Sequence, residues 1–250
     1  MMIKEERFEI ILDKLQQEVT ATYESLALLL SVSEDTIRRD IDYLYRNGLL
    51  SKVRGGAMLR SKDPMSFQER SLQGSGEKNI IALKAQKFIK NGMTVFMDGG
   101  TTICAIANNL PADTAIRIIT NNTELIPIVK RFKNIELIVL GGTYHQNTAT
   151  TTGADTCLQA AQYIADVYFM GTCAIDCKLG ISASVKTDAE VKKIMQGLSR
   201  KTIVLASQNK LRYTEPFKVA DITDVDILIT DLSSDAQELD EFRHLDIQLV

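Results

Sequence analysis

Ser33-Glu34-Asp35-Thr36-Ile37-Arg38-Arg39-Asp40-Ile41-Asp42-Tyr43-Leu44-Tyr45-Arg46 is the stretch whose reading decides the fold of the N-terminal sixty residues. Ser33 is a good N-cap, and Glu34 and Asp35 fall in a first turn, where a helix dipole favours acids. Ile37, Ile41, Leu44 and Tyr45 share one face, and Asn47-Gly48 is a helix stop. The spacing therefore predicts a helix from about residue 34 to residue 46. Upstream, Ser31-Val32-Ser33 reads as a turn behind a short helix carrying Leu26, Ala27, Leu29 and Leu30, capped by Thr22. Before that, Phe8, Ile11, Leu12 and Leu15 form the buried stripe of a helix over residues 4–17. Downstream, Leu49–Val53 and Ala57–Leu59 are short apolar stretches joined by Arg54-Gly55-Gly56, which suits a hairpin. A helix, a helix-turn-helix and a basic hairpin make a winged helix-turn-helix over residues 1–58.

The whole chain has net charge −3, which taken alone argues against a nucleic-acid binder. The distribution along the chain reverses that reading. Residues 1–35 hold three basic and eight acidic side chains, whereas residues 36–62 hold seven basic and two acidic ones. Such a split presents a basic face to phosphate. The third helix would enter the major groove by its N-terminal end, where Ser33, Thr36, Arg38 and Arg39 stand, with arginine suited to guanine or phosphate. Arg46, Lys52 and Arg54 complete the set expected to meet double-stranded DNA, Arg54 from the wing. The bland alternative is a winged helix that serves only as a protein-interaction module.

Residues 59–78, with Pro64, Gly74 and Gly76, read as a linker. From residue 79 to residue 250, helical and apolar extended stretches alternate. Strands are expected at Thr94–Met97, Ile116–Thr120, Ile135–Leu140, Val167–Met170, Thr202–Ala206, Asp226–Thr230 and Asp246–Val250, with helices between them. That order predicts an α/β fold with a mostly parallel sheet covered on both faces. Ligands of such sheets lie beyond the carboxyl ends of strands. There stand Asp98-Gly99-Gly100-Thr101-Thr102, Thr120-Asn121-Asn122, Gly141-Gly142 and Gly171-Thr172, with Lys210 as a cation. Glycines admit an anion close to backbone N–H groups, and the following helix turns its positive end to the same place.

Two sets of motifs carry a family resemblance. Thr36-Ile37-Arg38-Arg39-Asp40, Gly48-Leu49-Leu50 and Arg54-Gly55-Gly56-Ala57 resemble the DNA-binding signature of the DeoR-type bacterial regulators. Asp98–Thr102, Thr120–Asn122, Gly141-Gly142, Phe169-Met170-Gly171 and Val191-Lys192-Lys193 resemble the sensor domain of that family, which is similar to the sugar-phosphate isomerase fold. Phe67-Gln68-Glu69-Arg70 resembles its short motif between the domains. The resemblance covers essentially the whole chain. It implies a repressor of carbohydrate-metabolism genes, a phosphorylated sugar as effector, a homo-oligomer, and Lys192 among the effector residues. Two departures stand out: Ser207-Gln208-Asn209-Lys210 where the family has Asp-Ser-Ser-Lys, and Asp188 where it has Glu.

Other classes are weighed on the same residues. A sugar-phosphate isomerase would need a positioned base and a carbonyl donor; Asp98, Asp176 and Lys210 are conceivable, but Gly171–Asp176 lacks clustered carboxylates. A regulator answering to a protein partner is the third reading, prompted by Ser207. Cys104, Cys157, Cys173 and Cys177, with His145 and His244, show no metal-ligand spacing, so thiols, no metal and no cofactor are expected. No apolar run approaches a membrane span, and the start has no apolar segment after its charges, so a cytoplasmic protein is expected.

Overall fold

The computed structural model describes residues 3–18, 20–46, 49–53, 55–59 and 66–250. The chain forms two compact units, Met1–Asp63 and Pro64–Val250.

In the first unit, α1 (Lys4–Glu18), β1 (Thr20–Thr22), α2 (Tyr23–Leu30) and α3 (Glu34–Arg46) precede a hairpin of β2 (Leu50–Val53) and β3 (Gly56–Leu59). Ile11, Leu15, Leu26, Ile37, Ile41 and Leu44 are fully buried together, as the helical spacing predicts. Thr22 accepts from the Ser25 N–H and caps α2. The wing has a third strand that the sequence reading lacked: β1 pairs antiparallel with β3, giving the order β1-β3-β2. Three residues are too short for a periodicity signal, and β1 exists only because β3 offers it a free edge. Asp40 departs from the surface charge expected of it. Its carboxylate is buried and receives Arg7 Nε at 2.6 Å and Nη2 at 3.1 Å, tying α1 to α3.

In the second unit, residues 66–78, read as linker, carry α4 (Phe67–Leu72) and the start of α5 (Ser75–Ala85). Then follow β4 (Thr94–Met97), α6 (Thr101–Asn108), β5 (Arg117–Thr120), α7 (Leu125–Val129), β6 (Glu136–Val139), β7 (Thr143–His145), β8 (Thr150–Thr152), α8 (Ala154–Ala160) and β9 (Val167–Gly171). The chain continues with β10 (Ala174–Asp176), β11 (Gly180–Ala183), α9 (Lys186–Gly197), β12 (Thr202–Leu205), β13 (Phe217–Ala220), β14 (Ile227–Ile229) and β15 (Gln248–Leu249). Residues 237–242, read as part of a helix, form a 3-10 helix.

Seven strands form one sheet in the order β15-β14-β12-β9-β4-β5-β6, every pair parallel. Alternate residues fill opposite faces: Phe96, Tyr168, Met170 and Val204 one side, Val95, Met97, Phe169 and Ile203 the other. The hairpin β7–β8 and the antiparallel sheet β10-β11-β13 are additions that the sequence reading did not foresee. From β4 the chain runs outward through β5 and β6, then returns so that β9 pairs with the other side of β4. The strand order therefore reverses between β4 and β9, where the ends of two such strands leave a crevice.

Candidate functional site

On the first unit, α3 shows Glu34, Asp35, Arg38 and Arg39 to solvent and buries Ile37, Asp40 and Ile41. Ser33 is exposed, and its hydroxyl caps α3 by accepting from the Thr36 N–H at 3.3 Å; the two hydroxyls lie 3.0 Å apart. Arg38 is preorganised: its guanidinium lies 4.8 Å from the Tyr23 ring centroid and 3.4 Å from Glu34. Arg39 is exposed and makes no ion pair among the described residues. Lys52 on the wing pairs with Asp42 and stands 5.8 Å from the Tyr45 ring centroid. Both acids of the basic stretch are thus engaged, Asp40 by Arg7 and Asp42 by Lys52. Arg54 lies outside the described residues, and Arg46 belongs to α3 by its backbone alone.

On the second unit, the crevice between β4 and β9 brings together Asp98, Gly99, Gly100, Gly171 and Lys192. Asp98 is fully buried and its carboxylate accepts from Tyr168 Oη at 2.5 Å, Gly171 N at 2.8 Å and Lys192 Nζ at 2.5 Å. Burial pushes its carboxyl up, against the Lys192 charge. All three neighbours are donors, however, so the carboxylate form fits the network. Burial acts against the Lys192 ammonium, but Asp188 (3.6 Å) and Asp98 outweigh it and hold the lysine above its ordinary range. Asp188, the family departure, is thus the second carboxylate on Lys192. Lys192 also donates to Gly171 O at 2.9 Å.

The expected effector set divides into an open rim and a buried frame. Gly99, Gly100, Thr101 and Lys210 are half-buried, whereas Asp98, Thr102, Thr120, Asn121, Asn122, Gly171 and Lys192 are buried. Asn122 Nδ2 donates to the Asp98 and Gly100 carbonyls, both at 3.3 Å, and so stiffens the Gly99–Gly100 turn. A Cβ on Gly99 would stand 2.4 Å from Thr150 Cγ2, so glycine is required where β8 closes in. Gly141 and Gly142 do not join this group. The Gly141 N–H donates to Gln159 Oε1 at 2.8 Å, and a Cβ on Gly142 would meet Thr156 Oγ1 at 2.1 Å.

Three cations gather at the rim without a carboxylate partner among the described residues. Lys210 Nζ donates to Thr172 O at 2.6 Å. Lys78 Nζ donates to the carbonyls of Arg70 and Gln73. Arg70 Nε is buried with no hydrogen-bond partner among the described residues. Burial, together with the Arg70, Lys78 and Lys192 charges, brings the Lys210 ammonium down to about 8. Lys78 also walls a 280 Å³ cavity with Phe67, Ser71, Thr101, Cys104 and Glu124. Sequence reasoning missed Arg70 and Lys78 as site residues. The Phe67–Arg70 motif was the available signal, but it pointed to a linker. At the Ser207 departure, the hydroxyl donates to Asn209 Oδ1 at 2.7 Å, and the next N–H, that of Gln208, donates to Asp231 Oδ1 at 2.7 Å. Among the described residues no group of His, Cys, Asp or Glu is arranged to hold a metal ion.

Comparison with known proteins agrees with both halves. Residues 7–63 match the model of the DeoR-like helix-turn-helix domain, and residues 73–232 match that of the DeoR C terminal sensor domain. The chain is 33% identical to the HTH-type transcriptional repressor GlcR of Bacillus subtilis (strain 168), over 92% of this chain and 89% of that protein. It is 32% identical to the lactose phosphotransferase system repressor of Lactococcus lactis subsp. lactis, over 96% of each. Among solved structures it is similar to ribose 5 phosphate isomerase A from Neisseria gonorrhoeae, with a TM-score of 0.41 and 17% identity over 54% of this chain and 53% of that one. Matched over both units, the chain belongs to the DeoR family of transcriptional regulators.

Proposed function

We propose that this regulator represses carbohydrate-metabolism genes by binding a double-stranded DNA operator, and that a phosphorylated sugar controls that binding. In this reading residues 1–58 contact DNA and residues 79–250 bind the effector and form a homo-oligomer, in the cytoplasm. Residues 59–78 connect them and, through Arg70 and Lys78, also face the effector. Arg38 and Arg39 meet bases or phosphate, while Arg46, Lys52 and Arg54 meet phosphate. The effector's phosphate lies against Thr101 and the Gly99–Gly100 turn, among Arg70, Lys78 and Lys210.

The observation that carries the reading is this gathering of unpaired cations. Positive charges held close together and half out of water are costly unless an anion answers them, and among the described residues no carboxylate pairs with any of the three. Asp98 is unsuited to be the base of an isomerase, because Tyr168, Gly171 and Lys192 enclose its carboxylate. A gel-shift titration on the upstream region of the protein's own operon tests the reading, with and without sugar phosphates. Specific binding at low salt that a sugar phosphate alters is expected. Absence of specific binding under every condition overturns it.

A further inference from the structure

A second cavity adjoins the first, and Phe67, Ser71 and Glu124 belong to the walls of both. It measures 320 Å³ and runs between α4 and the β7–β8 hairpin. The hairpin is fastened to α4 by the Phe67 N–H, which donates to Asn147 O at 2.7 Å. The two cavities differ in chemistry. The first carries Lys78, whereas no lysine or arginine lines the second. Its wall instead holds three carboxamides, Gln68, Gln146 and Asn147, and the Tyr144 ring, while the Glu124 carboxylate is common to both cavities. None of the three amide side chains has a hydrogen-bond partner among the described residues. Tyr144 is 52% exposed, so its ring is uncovered.

A carboxamide presents both donors and an acceptor, and a carboxylate accepts only. Together they match vicinal hydroxyl groups, each of which donates and accepts, while an aromatic face suits the C–H side of a sugar. A wall without cations does not suit a second phosphate. We propose that this second cavity is the polyol subsite of the effector: it receives the hydroxylated carbon chain whose phosphate lies against Thr101 and Lys78, where the first cavity meets the cationic rim. The proposal rests on the effector reading above. It adds that the protein measures the length and hydroxylation of its ligand through Tyr144, Gln146 and Asn147. An anion with a short chain is confined to the first cavity, and a hexose phosphate spans both.

The test is calorimetric titration of the full chain with inorganic phosphate, glycerol phosphate and a panel of glucose 6-phosphate, fructose 6-phosphate and ribose 5-phosphate. The same titrations follow on Tyr144→Ala and Asn147→Ala. Each variant should weaken the preferred sugar phosphate roughly tenfold, the effect of one lost buried hydrogen bond or stacking contact. Inorganic phosphate and glycerol phosphate should bind as before, which also shows the variants are folded. Lys78→Met should weaken all the ligands together. Equal loss of sugar phosphate and inorganic phosphate in the Tyr144 and Asn147 variants, or no loss of either, overturns the subsite and leaves the effector reading standing. If the wild-type chain binds operator DNA but none of these ligands, the effector reading falls and the subsite with it.

Discussion

Lys192 Nζ lies 2.5 Å from Asp98 Oδ2, and the two side chains are 4% and 0% exposed. The pair joins the end of β4 to α9 across the crevice. Removing one partner of such a pair leaves a buried charge without compensation, at a cost of about 3–5 kcal/mol. Lys192→Met should therefore lower the stability of the α/β unit by about that amount, read as a fall in the urea midpoint. A loss under about 1 kcal/mol would show that the pair is dispensable to the fold.

Arg7 and Asp40 do the same work in the winged helix. Arg7→Ala should destabilise that unit and abolish DNA binding only as far as the unit unfolds. Arg39→Ala should leave the melting curve unchanged while weakening operator binding by about 1–3 kcal/mol if the guanidinium reads a base. If it contacts a phosphate, the slope of log affinity against log salt should shrink by about 0.9. A destabilised fold in Arg39→Ala, or unaltered binding, would remove Arg39 from the interface.

Lys210 sets the pH dependence. With its folded value at about 8, it is charged below that pH and neutral above it. Effector affinity should therefore decline as pH rises through 8, and Lys210→Met should flatten that decline. Stability runs the other way. Between about 8 and the ordinary lysine value of 10.5, the unfolded chain holds the proton that the folded chain has released. The ligand-free fold therefore gains stability as pH rises across that window. Calorimetric titration at pH 7 and 9 checks the first effect, and urea unfolding at pH 8 and 10 the second.

Asn122 should act on the effector site without touching ligand. Its amide bonds to the Asp98 and Gly100 carbonyls hold the Gly99–Gly100 turn, which the proposed function sets against the effector's phosphate. Asn122→Ala should weaken inorganic phosphate and sugar phosphates by equal factors, because it loosens the shared cradle. A change confined to one sugar would point to direct contact instead.

What the sequence revealed depended on how local the signal was. The helix over residues 34–46 was legible because caps, acids and apolar period all agree within fourteen residues. The central parallel strands were legible because both faces are buried and each reads as an apolar run. β1, β7 and β10 each have three residues, too few for an apolar period; β1 is a strand only through the distant β3, whereas β7 and β10 pair with the next strand in the chain. The pairing of Asp40 with Arg7, 33 positions away, has no local signature, so Asp40 counted as surface charge. The glycine turns were found, but their roles were not separable. Gly99 and Gly141 both precede another glycine, and only the tertiary structure distinguishes a turn packed against Thr150 at the crevice from one whose N–H is taken by Gln159. Arg70 and Lys78 were overlooked because a segment rich in glycine and charge reads as a connection, whereas it carries α4 and α5.

The reversal of strand order has a bearing on the lifetime of the protein. β4 meets β5 within a short stretch of chain, but its other neighbour, β9, arrives some seventy residues later. The floor of the crevice, from Asp98 to Gly171 and Lys192, is therefore completed late, when the distant half of the sheet docks. A chain still emerging from synthesis, or one that has locally opened along the β4–β9 seam, has no effector site. A ligand held there as proposed would bind only the finished sheet and withdraw it from the open forms that proteases attack, by a margin that grows with ligand concentration. The metabolite that governs the repressor would thus also govern how long each copy survives.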